Sequence, residues 1–490
     1  MKLRRRDFLK GITAAPVLAA APVLSASEDV LVNDVHTGLN PTWVRNVLRP
    51  GSVAEIQALI KDCGKHRRSI SVSGSRHATG GQQFAAHSAL LDMRGMCRVI
   101  GLDNETGLLH VEAGIEWPAL VQGYLAAQGD NASWGIRQKQ GGADHMTLAG
   151  ALSANAHGHC LGSPPMIADV EWIEIVTADG KLQKCGRKQN AELFALAIGG
   201  YGLFGVITGV GLRLVPRGKV RRRVEARILA ELVELVEKRA ASGASFGYFQ
   251  YNIDQTSPEF MRTGVFTTYE PVAPETAIGK ERPEVDEDAL TLLLELAHRN
   301  SQRAYTQYAK YELALDGNVE WSDLHQLSTY PLGYHKNIEK RLGAAFEGAD
   351  LILEVYVPRH ELIAYLEEAR HLLLTSEVPL IYGTVRFIEQ DRDSFLVWAK
   401  KRYACVIFTV HSSSEAHALY KTGEICRQLI RGGVKRGGSF YLTYNRFTIR
   451  EELDSAYPQF GEFLLLKKKY DPAELFQSDW YRHYKKFYQW

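Results

Sequence analysis

SVSGSRHATGGQQ, residues 71–83, sets one ionisable ring, His77, among glycines and other small residues directly behind the apolar run Ile70-Ser71-Val72. Ser69 to Val72 reads as a strand, so the glycines open a loop at a strand end. Their small side chains leave successive N–H groups free to form a concave nest for an anion. Taken alone, the loop reads equally well as a glycine-rich surface turn. The choice rests on what else the chain carries.

With 490 residues, 45% of them hydrophobic and 23% charged, the chain exceeds what one core holds, and two domains are expected. The 58 Lys and Arg balance 56 acidic residues to +2, which leaves no footprint for nucleic acid and points to a small ligand. Six scattered cysteines (Cys63, Cys97, Cys160, Cys185, Cys405, Cys426) include no CxxC pair, so neither a zinc ribbon nor a dense disulfide framework is expected.

At the start, Arg4-Arg5-Arg6-Asp7-Phe8-Leu9-Lys10 precedes a mildly apolar stretch from Gly11 to about Ala26 that ends in small residues, the layout of a secretory signal. The stretch contains Pro16 and Pro22 and is too short to span a bilayer comfortably. It resembles the twin-arginine export signal, with Arg5, Arg6, Phe8, Leu9 and Lys10 in that family's places and Arg4 where Ser or Thr is usual. The resemblance implies a signal at 1–26, cleaved near residue 25, and delivery of an already folded protein to the periplasm or exterior. No stable membrane span is expected after cleavage, because no later segment is long and apolar enough. Folding before export makes disulfides unnecessary.

Between Pro41 and Pro216 short apolar runs alternate with helical stretches. Ser52 caps a helix whose apolar positions are Val53, Ile56, Leu59 and Ile60, and Glu55 completes a capping box. Strands are expected at Leu108–Glu112 and Val170–Thr177, the latter turning at Ala178-Asp179-Gly180-Lys181. From about 218 to 445, amphipathic helices at Ile228–Ala240 and Glu361–Leu374 mix with strands near 350–357, 379–388, 404–411 and 438–444. Pro271 to Pro283 reads as a loop, and the tail from Tyr457 to Trp490 carries a helix, a Tyr470-Asp471-Pro472 break and many aromatic residues.

Gly200-Tyr201-Gly202-Leu203-Phe204-Gly205 fits G-x-G-x-x-G, yet it follows a helical pattern and precedes the apolar run Val206 to Val215. A dinucleotide fingerprint needs the strand before and the helix after, so a Rossmann nicotinamide site is rejected. Two other segments keep the 71–83 loop company: Thr147-Leu148-Ala149-Gly150-Ala151-Leu152-Ser153-Ala154-Asn155-Ala156-His157-Gly158, and Gly202-Leu203-Phe204-Gly205-Val206-Ile207-Thr208.

These three segments, in this order and spacing, resemble the FAD-binding domain of the vanillyl-alcohol oxidase superfamily over about residues 45–217. The stretch Tyr457-Pro458 to Trp480 looks like the family's returning C-terminal segment. The resemblance implies an α+β fold: a PCMH-type FAD-binding domain at 41–217, a substrate domain at 218–456 built on an antiparallel sheet flanked by helices, and a C-terminal segment at 457–490. It implies FAD bound by Ser73, Gly74, Ser75, Arg76, His77 and Ala78 around the pyrophosphate. The same resemblance implies that Thr147, Gly150, Ser153, Ala154, His157 and Gly158 run along the isoalloxazine and that Gly205, Val206 and Ile207 lie near the adenosine.

His77 matches the position at which many members bond histidine to the flavin 8α-carbon, a reaction suited to a neutral imidazole; the alternative is a histidine that only hydrogen-bonds FAD. Some members carry a second, cysteinyl bond, but Arg137-Gln138-Lys139-Gln140-Gly141-Gly142 holds no cysteine, so a single attachment is expected. His157-Gly158-His159-Cys160 lacks a second ligand pair, and no metal is expected.

Oxidation of an alcohol-type C–H by hydride transfer to a flavin needs a group for the hydroxyl proton and donors for the developing oxyanion. Alternation places Tyr382, Thr384 and Arg386 on one strand face and Thr409 and His411 on one face of another. Arg386 and His411 sit where alditol oxidases have substrate-binding arginine and histidine, with Thr384 in place of the accompanying acid and Glu389 as the nearest carboxylate in sequence. Gly437 to Tyr444 looks more like decaprenylphosphoryl-ribose oxidase, in which lysine takes the place of Tyr444; Tyr444 is expected to donate to substrate or, with its pKa lowered by Arg386, to act as base. The His-Trp-Gly/Ala-Lys motif of sugar-lactone oxidases is absent. The expectation is a flavoenzyme acting on a polyol, sugar or related alcohol and reoxidised by O2 or an electron acceptor; a non-catalytic flavin-binding protein and a sugar-lactone dehydrogenase are the alternatives.

Overall fold

The computed structural model describes residues 29–279, 287–328, 330–331, 333–343 and 348–488. The export signal lies outside these residues, as does the end of the loop expected at Pro271 to Pro283. Among them no helix is long and apolar enough to cross a membrane, and all six cysteines are free thiols.

The loop of 71–83 leaves a small parallel sheet in which Ala89–Asp92 lies between Asn46–Leu48 and Ile70–Ser73. The preceding helix, Val53–Lys65, buries Ile56, Leu59, Ile60 and Cys63 against this sheet. Ser52 Oγ accepts from the Glu55 N–H at 3.3 Å, while the Glu55 carboxylate accepts from the Gly51 N–H at 3.1 Å, one residue before the usual capping-box partner.

Beside it stands a five-stranded antiparallel sheet in the order Leu182–Gly186, Val170–Val176, Val206–Arg213, Leu108–Glu112, Val99–Asp103. The Gly200 to Gly205 segment joins the helix Ala191–Ala197 to the strand Val206–Arg213. The order of elements is therefore the inverse of a dinucleotide fingerprint.

The second half is built on eight antiparallel strands, in the order Val319–Trp321, Lys219–Ile228, Thr263–Val272, Phe246–Tyr251, Leu380–Ile388, Tyr403–Ser413, Gly348–Pro358, Ser439–Phe440. The helices Leu362–Ser376 and Ala416–Lys435 pack with one another, and the latter also packs on the sheet. The helix expected from Ile228 starts at Leu232, because Lys219–Ile228 buries Val220, Arg222 and Val224 at a period of two and stays paired as far as Ile228 opposite Thr263. The strand expected at 438–444 is only Ser439–Phe440, after which the chain turns into the cavity described below.

The tail comes back to the first sheet. Ile70 N–H donates to Leu475 O at 2.7 Å and Gln477 N–H to Ile70 O at 2.8 Å, so 475–477 adds a parallel edge beside Ile70–Ser73. Phe476 is fully buried in the same cluster as Ile70. Asp471, just before Pro472, is ion-paired with Lys467 and accepts from the N–H groups of Leu475 (2.9 Å) and Phe476 (2.8 Å), which fixes the turn.

Candidate active site

The first loop, the second loop and the third glycine segment meet the large sheet around a cavity of about 1370 Å³, counting its open mouth.

Ser73 to Ala78 line it. Arg76 takes a left-handed conformation, φ +65°, and its carbonyl accepts from the Val35 N–H at 3.0 Å. Beyond the turn, Thr79 N–H donates to Thr443 O at 3.1 Å. The N–H groups of Ser75 to Ala78 make no hydrogen bond among the described residues, so the loop presents donors to the cavity.

Gly74 lies against the second loop: a Cβ there would stand 2.0 Å from Thr147 Oγ1. Thr147 caps the short helix Leu148–Ser153 by accepting from Gly150 N–H at 3.2 Å. Thr147, Gly150, Ser153, Ala154 and His157 line the cavity, whereas Gly158 does not, since its Cα packs against the Lys139 carbonyl. From the third segment Gly205 and Ile207 line the cavity, joined by Tyr201 and Gly202; Val206, between them on a strand, points the other way into the core.

His77 is held at both nitrogens. Its Nε2 faces the His145 carbonyl at 3.1 Å and therefore carries the hydrogen, which leaves Nδ1 to accept from His36 Nε2 at 2.9 Å. Burial, followed by the His36 ring, pushes its pKa down to about 3, so at neutral pH it is an uncharged imidazole. His36 in turn packs edge-on to Tyr330, another cavity residue.

At the other end, Arg386 and Tyr444 line the cavity together with Glu354, a carboxylate that sequence reasoning missed. The Arg386 guanidinium lies over Gly141, where a Cβ would approach it to 2.1 Å, and makes no hydrogen bond or ion pair among the described residues. Glu354 Oε1 accepts from Tyr444 OH at 2.9 Å; its Oε2 accepts from Tyr356 OH at 2.9 Å and meets His157 Nε2 at 2.9 Å. His157 Nδ1 faces Gly158 O at 3.0 Å, so both ring nitrogens meet oxygen acceptors and the His157–Glu354 pair holds one proton between them. Burial alone would raise the Glu354 pKa, but His157, with help from Arg386 and Tyr444, holds it at about 2.

Three expectations are revised. Glu389 is not the cavity's carboxylate: it pairs with Arg359 at 2.8 Å and Arg402 at 2.9 Å outside the lining. His411 shares the face of Arg386 but lies six residues along its strand from Cys405, the residue opposite Arg386. At about 3.3 Å per residue that is about 20 Å, and His411 instead contacts Asp350 at 2.8 Å. Tyr444 is no lowered-pKa base, since burial and then Glu354 raise its phenol well above the ordinary range, outweighing Arg386.

The glycines pressed against neighbouring backbone and side chains, the unpartnered loop N–H groups and the three glycine-bearing segments that share one cavity fit an extended dinucleotide cofactor. Residues 44–186 match the sequence model of a family described as an FAD binding domain. Similar proteins include cytokinin dehydrogenase 9 of Oryza sativa subsp. japonica, 22% identical over 88% of this chain and 84% of that one. L-gulono-1,4-lactone dehydrogenase of Mycobacterium tuberculosis is 24% identical over 89% of this chain and 95% of its own. The mitochondrial L-galactono-1,4-lactone dehydrogenase of Brassica oleracea is 26% identical over 53% and 42% respectively. Residues 44–186 thus form an FAD-binding domain, and most of the chain is similar to dehydrogenases.

Proposed function

We propose that this FAD-dependent oxidoreductase oxidises an alcohol-type C–H bond of a polyol, sugar or related substrate, with its flavin bonded through His77 as in the vanillyl-alcohol oxidase superfamily. The observation that carries the reading is the opening of Arg386 and the Tyr444–Glu354 pair into the same cavity as His77. When bound, FAD supplies the two-electron acceptor for a hydride leaving the substrate carbon.

Around it the chain divides the work. Ser73 to Ala78 would hold the pyrophosphate, and the second and third glycine segments, which line the same cavity, would hold the rest of the cofactor. Arg386 donates to the substrate oxygen and favours the negative charge that grows there. Tyr444, neutral, stands between the substrate hydroxyl and Glu354, so the proton released as the C–H bond breaks passes to Glu354 directly or through the phenol. His157 keeps Glu354 ionised at the expense of basicity, so with a pKa of about 2 the carboxylate takes the proton only as the breaking C–H bond makes the hydroxyl strongly acidic.

The similarity to L-gulono-1,4-lactone dehydrogenase of Mycobacterium tuberculosis, over 89% of this chain, supports an oxygenated sugar-like donor. The final oxidant is O2 or an electron acceptor, and Arg5, Arg6, Phe8, Leu9 and Lys10 support delivery to the periplasm or exterior by twin-arginine export.

Acid precipitation of the purified protein tests the tether: a yellow pellet with the mass of FAD, lost in His77→Ala, is expected. Flavin bleaching by a panel of sugars and polyols, retained in wild type and lost in Arg386→Met, tests the reaction. Bleaching unaffected by Arg386→Met would refute the assignment of the reacting end, and a colourless pellet would leave His77 as a ligand only.

A further inference from the structure

Outside the cavity, three side chains from three elements converge: His298 in the last turn of the helix Glu287–Arg299, Asp350 on the strand Gly348–Pro358, and His411 opposite it on Tyr403–Ser413. We propose that these three residues form a divalent transition-metal site, with zinc as its simplest occupant, that pins this helix to the sheet beside the cavity.

The ligand atoms lie within 4.8 Å of one another. His411 Nδ1 is 2.8 Å and His298 Nε2 3.1 Å from the same oxygen, Asp350 Oδ1. His298 Nδ1 lies 2.8 Å from the Leu294 carbonyl, which can only accept, so Nδ1 carries the hydrogen. In the neutral ring Nε2 then turns its lone pair toward the carboxylate oxygen. Two acceptors that close repel unless a cation is shared between them. Only His298 is in that position, since neutral His411 can donate from Nδ1; one added proton on His298 satisfies the carboxylate, and a divalent ion in its place takes both imidazoles and the carboxylate, the nitrogen and oxygen set that zinc favours. With bonds of about 2.0 Å a tetrahedral ion needs ligand separations of about 3.3 Å, a few tenths of an ångström wider than the two nitrogen–oxygen distances of 2.8 and 3.1 Å.

The surroundings are those of held ligands. The Leu294 carbonyl orients one imidazole, and Tyr334 donates to the second carboxylate oxygen. His298 and Asp350 side chains are nearly enclosed, while His411 keeps 23% of its side chain exposed, leaving an open side for water.

The helix Glu287–Arg299 is lightly anchored: Ala297 is its one buried residue among those described, Leu294 and Leu296 pack half-buried against the core, and Leu292 is exposed. The cavity group His157, Glu354 and Cys405 differs, because burial keeps the Cys405 thiol protonated and two tyrosines already occupy the carboxylate. From Asp350 the same strand face reaches Ile352 on the cavity wall, and Tyr334 packs on Tyr330, so an ion here would stiffen that wall.

Full-length flavin-loaded protein, treated with chelator and dialysed against micromolar zinc, is expected to keep one zinc per chain through gel filtration. His298→Gln and His411→Gln should each lower zinc affinity at least tenfold, and cobalt substituted into wild type should give visible d–d bands without the near-ultraviolet thiolate band. Failure of wild type to retain zinc overturns the proposal, as does retention unchanged in both variants. If neither variant folds, the wild-type cobalt spectrum decides, and a thiolate band would place the ion at Cys405 and also overturn it.

Discussion

Replacing Glu354 by glutamine keeps its size while removing the charge that three neighbours are arranged around. In the folded protein the pKa stands at about 2 against an ordinary 4.5, which corresponds to about 3 kcal/mol at about 1.4 kcal/mol per pH unit. The side chain is 6% exposed, so solvent screening reduces this little. Because the folded-state pKa is the lower one, the stabilisation is fully present above pH 4.5 and is lost as the pH falls through 2. Urea unfolding followed by tryptophan fluorescence should show Glu354→Gln less stable by about 3 kcal/mol at pH 7, with the gap to wild type narrowing steadily below pH 4.5. A gap under about 1 kcal/mol, or one that does not change with pH, would refute the view that the His157–Glu354 pair is an ionised pair within the fold.

Gly74→Ala should drive Thr147 off its cap, 2.0 Å being too close for any side chain, and lower both stability, by about 1 kcal/mol, and the FAD bound per chain read from visible absorbance. If His77 carries the flavin as proposed, His36→Ala should leave FAD bound but shift a large part of it from the acid pellet to the supernatant, since His77 loses the donor that orients its ring. Phe476→Ala should cost about 3–5 kcal/mol in chemical denaturation, because the ring is wholly buried where the tail joins the sheet.

Much of the cofactor end was legible because glycines carry their reason with them. Gly74 and Gly205 stand where added atoms would strike neighbours, and the sequence marks such places openly. Val206 and Gly158, drawn into the site as parts of contiguous motifs, show the limit: a strand turns alternate residues away, and a motif does not say which glycine faces the ligand.

The reacting end was less legible because it depends on register. Glu354 and Thr384 both stand opposite Ile407, on strands that flank the same neighbour, so the acid sought beside Arg386 comes from a strand about thirty residues earlier. A lone carboxylate in the run Leu351-Ile352-Leu353-Glu354-Val355-Tyr356-Val357 was the available signal. The strands Phe246–Tyr251 and Thr263–Val272 went unread for the related reason that both faces are buried and alternation is weak.

The tail strand beside Ile70 has a consequence in time. Its partners are more than four hundred residues apart in the chain, so the edge that supports the glycine loop cannot close while the first half is leaving the ribosome. Until 475–477 is made, the Ile70 backbone and its apolar neighbours form an unpaired edge, the kind of surface on which chaperones act and aggregation begins. Cofactor capture is thereby a late event in the life of each molecule, and a truncation before Leu475 should yield chains that are synthesised, held in partly folded form, and never turn yellow.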